Sequence, residues 1–209
     1  MNAKLASKQV TIHKAVLLPA LVEFEKISVK GPEGGVSKGE QIAGSFYSVV
    51  SKELSARGVE VFPSLADLTK DDATRYAVAD LQARYDSVAV QLRKKPDLII
   101  KGRLTLGDRV EKFELAADGG ADALVFVRGA GLVQTTARKA VSAVTFNWFG
   151  VVREFHGELA FVDAKTGEVL AFVRFNTVRD AARNSEVRLA HVLRGAMHDV
   201  PLPSPPPKH

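Results

Sequence analysis

Apolar positions along this chain fall into two periods. Short runs of four to seven residues mark strands, and steps of three or four mark helices. Lys14-Ala-Val-Leu-Leu-Pro-Ala20 is an apolar run that Pro19 limits, since proline donates no ladder hydrogen bond. Val22 to Ile27 alternates in part and reads as a second extended piece, and Gly31 to Gly35 reads as a loop. Ser37-Lys-Gly-Glu40 has capping-box spacing. The helix it opens carries Ile42, Phe46, Val49, Val50 and Leu54 on one face, and Gly58 stops it. Val59 to Phe62 is a short strand ending at Pro63.

Thr69-Lys-Asp-Asp72 opens the longest helical stretch, with Ala77, Leu81, Tyr85, Val88 and Leu92 inward and Pro96 as its stop. Asp97 to Ile100 reads as a buried strand, and Asp108 to Ala117 as a shorter helix capped by Gly119-Gly120. Ala121 to Arg128 is apolar on both faces, which predicts a central strand. Gly129 to Lys139 is polar and reads as a mobile loop or strand margin. Strands over 141–146 and 151–155 are joined through Asn147-Trp-Phe-Gly150. A hairpin follows over 158–174, with Asp163 placed to bond the turn backbone and Gly167 to take its positive φ. The closing helix spans about 180–197, with Val187, Ala190, Leu193 and Met197 inward.

This order predicts an α/β fold. A mixed parallel and antiparallel sheet is covered by three to four helices and ends in an antiparallel meander and a C-terminal helix. No internal repeat or interior linker interrupts it. Residues 1–12 read as a flexible N-terminal segment, 13–198 as a single α/β domain, and 199–209 as a Pro-rich disordered tail of polyproline type.

The chain has 209 residues, enough for a sizeable core. Its net charge of +5 is dispersed among 24 acids, so no concentrated electrostatic footprint for nucleic acid follows. The absence of cysteine excludes disulfides, thiol catalysis and cysteine-ligated zinc. No apolar run of the chain is long enough to span a bilayer. The first residues lack the apolar centre of a signal peptide. Either the protein is cytosolic or a leader precedes this sequence.

Three segments carry a family resemblance. They are Val16-Leu-Leu-Pro19 in the first strand, Gly120-Ala-Asp-Ala-Leu-Val-Phe126 leading into the central strand, and Leu159-Ala-Phe-Val-Asp163-Ala-Lys-Thr-Gly167-Glu-Val-Leu170 in the hairpin. In that order and spacing, over about residues 14–197, the chain resembles the bacterial envelope lipoproteins that include CsgG, PelC, LpoB and relatives of the TolB N-terminal domain. The resemblance implies a non-catalytic, oligomeric scaffold or accessory component of a cell-envelope secretion or assembly complex. It implies a periplasmic, outer-membrane-associated protein whose partners are copies of itself, other envelope proteins and the membrane. The lipid anchor would be carried by residues absent from this sequence. It supplies no catalytic residue and no cofactor.

The residues themselves agree that reactive chemistry is sparse. His191 and His198 are one heptad apart on a helix, about 10.5 Å between Cα atoms, where chelation favours i,i+4. The loop from Gly31 to Lys38 lacks the phosphate-loop order, and Glu33 repels anions. Asp71 and Asp72 fit a helix N-terminus better than acid–base catalysis. Ser185, Glu186 and His191 have triad residue types with no orienting spacing. The remaining candidate is an interaction surface. Phe146, Trp148 and Phe149 crowd a strand connection, and Arg138 and Lys139 form a polar rim. The rival readings are a cytosolic basic domain that binds nucleic acid and an enzyme whose site is assembled from distant residues.

Overall fold

A computed structural model describes residues 1–28, 31–34, 36–107, 110, 113, 116, 118–134, 155–177 and 186–203, with backbone alone at 24–28, 31–34, 36–42, 132–134, 177 and 188. The element order is α1 (Ala3–Ala6), β1 (Lys14–Leu17), β2 (Leu21–Ser28), β3 (Gly31–Gly34), α2 (Val36–Ala56), β4 (Glu60–Val61), a 3-10 turn (Asp67–Thr69), α3 (Asp72–Lys94), α4 (Asp97–Ile100), β5 (Ala123–Gln134), β6 (Phe155–Asp163), β7 (Val169–Thr177) and the closing helix α5 (Glu186–Ala196).

The predicted mixed sheet is present, and β5 is its centre. Antiparallel β6 lies along one edge of β5, and β7 pairs antiparallel with β6. The other edge is shared. Parallel β1 covers Ala123 to Val125, and parallel β2 covers Arg128 to Gln134. Pro19 sits where one gives way to the other. β4 flanks β1 in parallel, and β3 flanks β2 antiparallel.

Alternation along the strands then sorts two cores. Ala123, Val125, Val127, Leu159, Phe161, Val173 and Phe175 pack with Phe46, Val50 and Leu54 of α2 and Leu189 and Leu193 of α5. Leu124, Phe126, Ala160 and Val162 pack with Leu81, Tyr85, Ala89 and Leu92 of α3. Both faces of β5 are therefore dry from Ala123 to Val127, which accounts for the apolar run there.

On the α2 side, Gly129 and Gly157 are direct cross-strand partners. Phe155 lies against Gly129 and Phe175 against Gly157, where a Cβ would stand 2.7 and 2.0 Å from the respective rings. Phe46 meets both rings edge-on, at 5.8 and 5.7 Å between centroids. The hairpin turn matches its sequence reading. Asp163 Oδ1 accepts from the backbone N–H of Lys165 and Thr166 at 2.9 and 2.8 Å, and Gly167 has φ 69°.

Several expectations are corrected. Gly31 to Gly34 is not a loop; its backbone forms β3 against β2. Asp97 to Ile100 is one turn of helix, with Ile99 buried and Ile100 60% exposed. Pro96 at its cap and Asp97 in its first turn favour that helix, and a short apolar run alone does not distinguish the two states. α2 begins at Val36, one residue before the expected cap. In α5 the buried spacing is Leu189, Leu193 and Met197, and Val187 is 78% exposed. Residues 1–12, read as flexible, hold α1 and bury Leu5 and Ile12 completely. The expected helix over 108–117 and the strands over 141–155 lie largely outside the described residues, as does the tail from 204.

Two outcomes test this packing. Gly157→Ala drives a methyl into the Phe175 ring, which is held by Phe46. It lowers unfolding free energy by about 1–3 kcal/mol in urea titrations; an unchanged midpoint contradicts the close approach. Asp71 caps α3, its Oδ1 accepting from Thr74 N–H at 2.7 Å, and that hydrogen bond holds its carboxyl below the usual range. A lowered folded-state pKa gives stability that is present above the unfolded value and lost as pH falls through the folded one. Asp71→Ala therefore lowers Tm at neutral pH, and its deficit against the wild type shrinks in acid.

Candidate functional site

The α3-facing side of the sheet changes character part-way along β5. Up to Phe126 its residues are apolar; at the next position on that face stands Arg128. The register carries this change across three strands. Arg128 pairs with Glu158 on β6, and Glu158 with Arg174 on β7. One pair further on, Ala130 meets His156, and His156 meets Asn176. On the other side of β5, Leu21 lies beside Arg128 and Glu23 beside Ala130. The end of α3 overhangs this row with Asp86, Val90 and Arg93. The result is an open cleft of about 430 Å³ lined by these residues.

Each charge has a distinct environment. Glu158 is 8% exposed. Arg93 grips its carboxylate from α3, Nε donating to Oε1 at 2.8 Å and Nη2 to Oε2 at 2.7 Å. This fork geometry is the strong form of a guanidinium–carboxylate contact, and it holds the Arg93 guanidinium above its ordinary pKa. Arg174 approaches Glu158 Oε1 only to 3.6 Å, an ion pair beyond hydrogen-bond length.

Arg128 is nearly buried and fully engaged. Its Nε donates to Asp86 Oδ1 at 2.7 Å, and its Nη2 to the Gln82 carbonyl at 3.1 Å. Its guanidinium carbon stands 5.0 Å from the centre of the Tyr85 ring, which stacks on Phe126 at 4.6 Å. Burial, reinforced by the Glu158 charge, pushes the Tyr85 hydroxyl well above its ordinary range. That hydroxyl stays neutral and has no hydrogen-bond partner among the described residues.

A second groove of about 360 Å³ continues from the cleft through Leu21 and Asp86 towards Pro19, Leu68 and Val78. Gln82 lines it, donating to the Pro19 carbonyl at 2.9 Å while its own Oε1 is buried without a partner among the described residues.

The arrangement can hold and orient a polar group. Two of its carboxylates, Glu158 and Asp86, are bound by guanidiniums. Among the described residues no group of His, Asp and Glu has metal-site geometry, and no helix is long and apolar enough to cross a membrane.

The sequence-predicted surface of Arg138, Lys139, Phe146, Trp148 and Phe149 lies outside the described residues. Of the other candidates, Asp71 is the α3 N-cap, and Asp72 pairs with Arg75 on the helix surface. His191 is exposed on α5, and His198 Nδ1 is 3.0 Å from Asp199 Oδ1. His156 lines the cleft, its Nδ1 2.8 Å from Asn176 Oδ1. The sequence reading passed over Arg93, Arg128, Glu158 and Arg174. For two of them a signal was present in the hairpin, whose first and last residues, Glu158 and Arg174, are opposite charges at matching positions.

No protein-family model matches the chain, and no curated protein does. Solved structures similar to it include a lipoprotein from Neisseria meningitidis, 14% identical with a TM-score of 0.44, covering 90% of this chain and 96% of that one. A PelC dodecamer from Paraburkholderia phytofirmans is 11% identical with a TM-score of 0.39, covering 92% and 90%. The LpoB C-terminal domain from Salmonella enterica is 10% identical with a TM-score of 0.30, covering 84% and 93%. PelC and LpoB, both named by the sequence resemblance, are thus among the similar structures.

The grip of Arg93 on Glu158 ties α3 to the sheet. Removing it by Glu158→Ala costs roughly 1–3 kcal/mol. The lower part of that range is expected because the Arg93 side chain is 43% exposed and solvent screens the pair. A double-mutant cycle with Arg93→Ala isolates the coupling; additive effects of the two substitutions contradict the pair.

Proposed function

We propose that this chain is a non-catalytic component of the bacterial cell envelope that self-associates and serves as a scaffold or accessory part of a secretion or assembly complex. In this reading it is periplasmic and held at the outer membrane by a lipid on residues preceding this sequence. The observation that carries the reading is where the three resembling segments fall. Val16 to Pro19 is β1 and its end, Gly120 to Phe126 leads into β5, and Leu159 to Leu170 is the β6–β7 hairpin. They lie side by side in one sheet. A resemblance scattered along the sequence therefore converges on the central strands.

The use of polar groups supports a binding role. Asp122 accepts from the backbone N–H of both His13 and Lys14, and Asp163 orders the hairpin turn. Glu53 of α2 takes Arg194 of α5 at 2.5 Å. Arg57 donates to the carbonyls of Met197 and Arg194 at the end of α5. These groups join elements. The contact surface in this reading is the aromatic turn of Phe146, Trp148 and Phe149 with its rim of Arg138 and Lys139, a composition suited to the centre of an interface.

The test uses the complete gene product in its native bacterium. Cell fractionation places it with the outer membrane, and the purified protein sediments as an oligomer. Trp148→Ala leaves circular dichroism and Tm unchanged and reduces the sedimenting mass. Recovery of the wild type in the cytosol contradicts the envelope assignment. Unchanged sedimentation of the variant contradicts the surface.

A further inference from the structure

The cleft beneath the end of α3 has one cation more than its own acids bind, and that cation is placed where a ligand can reach it. Arg128 is committed to Asp86 and to a backbone carbonyl. Arg93 is committed to both oxygens of Glu158. Arg174 makes no hydrogen bond among the described residues. It stands 3.6 Å from a carboxylate already occupied by Arg93, and its side chain is 55% exposed. The cleft volume of about 430 Å³ lies within the range typical of small-ligand sites.

We propose that this cleft binds a carboxylate, received by Arg174 at the open end of the Arg93–Glu158–Arg174 row. The guanidinium fork offers parallel N–H donors that match the two oxygens of a planar carboxylate. Arg93 orders Glu158, and Glu158 in turn holds Arg174 near a fixed position without consuming its donors.

Charge decides between carboxylate and phosphate. Three guanidiniums and three carboxylates line the cleft; Asp86 and Glu158 lie among the guanidiniums and Glu23 does not, so the end at Arg174 keeps a local excess of one positive charge. One monoanion neutralises it; a phosphate dianion leaves an excess negative charge beside Glu158. Glu23 is on the far rim, three strands from Arg174, roughly 14 Å at normal strand spacing. It therefore opposes a second negative group and does not neutralise Arg174 directly. Val90 and Leu21, 47% and 43% exposed, give the middle of the cleft an apolar floor for the carbon skeleton that carries the carboxylate. The proposal rests on this geometry alone and is independent of whether the protein assembles or where it resides.

The test is an NMR titration of the full chain at constant ionic strength with three probes: N-acetylalanine, an N-acetylated tripeptide whose only charge is its terminal carboxylate, and inorganic phosphate. The expected result is saturable binding of both carboxylates, with phosphate weaker. Arg174→Gln weakens carboxylate binding by roughly ten- to a hundredfold, the effect of losing a charged hydrogen-bonding partner. Arg174→Lys retains part of the affinity, because a point charge replaces the fork. Lys165→Gln, exposed in the β6–β7 turn at the far end of the hairpin, binds like the wild type and controls for net charge. Tighter binding of the tripeptide assigns the carboxylate to a peptide chain, and equal binding assigns it to a small acid; both support the site. Absence of saturable carboxylate binding, undiminished binding by Arg174→Gln, or phosphate binding as tightly as carboxylate overturns it.

Discussion

The structure depends on burying β5 on both faces while pairing it along both edges. That constraint selects an apolar run from Ala123 to Val127, all fully buried. It requires helices on both sides, since a sheet with two apolar faces must be covered twice. It also explains how one strand accepts three neighbours. β1 and β2 are successive pieces along the same edge, divided at Pro19, and β6 covers the opposite edge from Ala123 to Gly131.

The polar cleft begins where the constraint relaxes. Beyond Phe126 the α3 side carries Arg128, Glu158 and Arg174, and a row of charge replaces the core. Burying Glu158 without a partner would be costly, so Arg93 reaches down from α3 to hold it. The same contact fixes the end of that helix and props the cleft open beside it. On the α2 side at the same level, Gly129 and Gly157 remove bulk so that Phe155 and Phe175 can lie flat beneath Phe46. Thus one level of the sheet is an aromatic floor on one face and a charged row on the other.

Much of the fold was legible because its signals are local. The β6–β7 turn needed Asp163 and Gly167, and α3 needed Asp71 and a periodic apolar stripe. The spacing of Phe46, Val49, Val50 and Leu54 also identified the buried face of α2. What was missed depends on pairing. Gly31 to Gly34 looks like a loop by composition, and only β2 beside it makes it a strand. Asp97 to Ile100 is too short for its period to decide. The cleft residues come from α3, β5, β6 and β7, and no local spacing unites Arg93 with Glu158. Hairpin register alone could have paired Glu158 with Arg174, and even that does not reveal Arg93 above them.

The role of β5 as the twice-buried centre is tested most directly by native-state amide hydrogen exchange across a denaturant series. The account predicts that the amides of Leu124 to Val127 exchange only through global unfolding, with the full denaturant dependence of that transition. Exchange of those amides by local, denaturant-independent opening, while α2 and α3 stay protected, would contradict it.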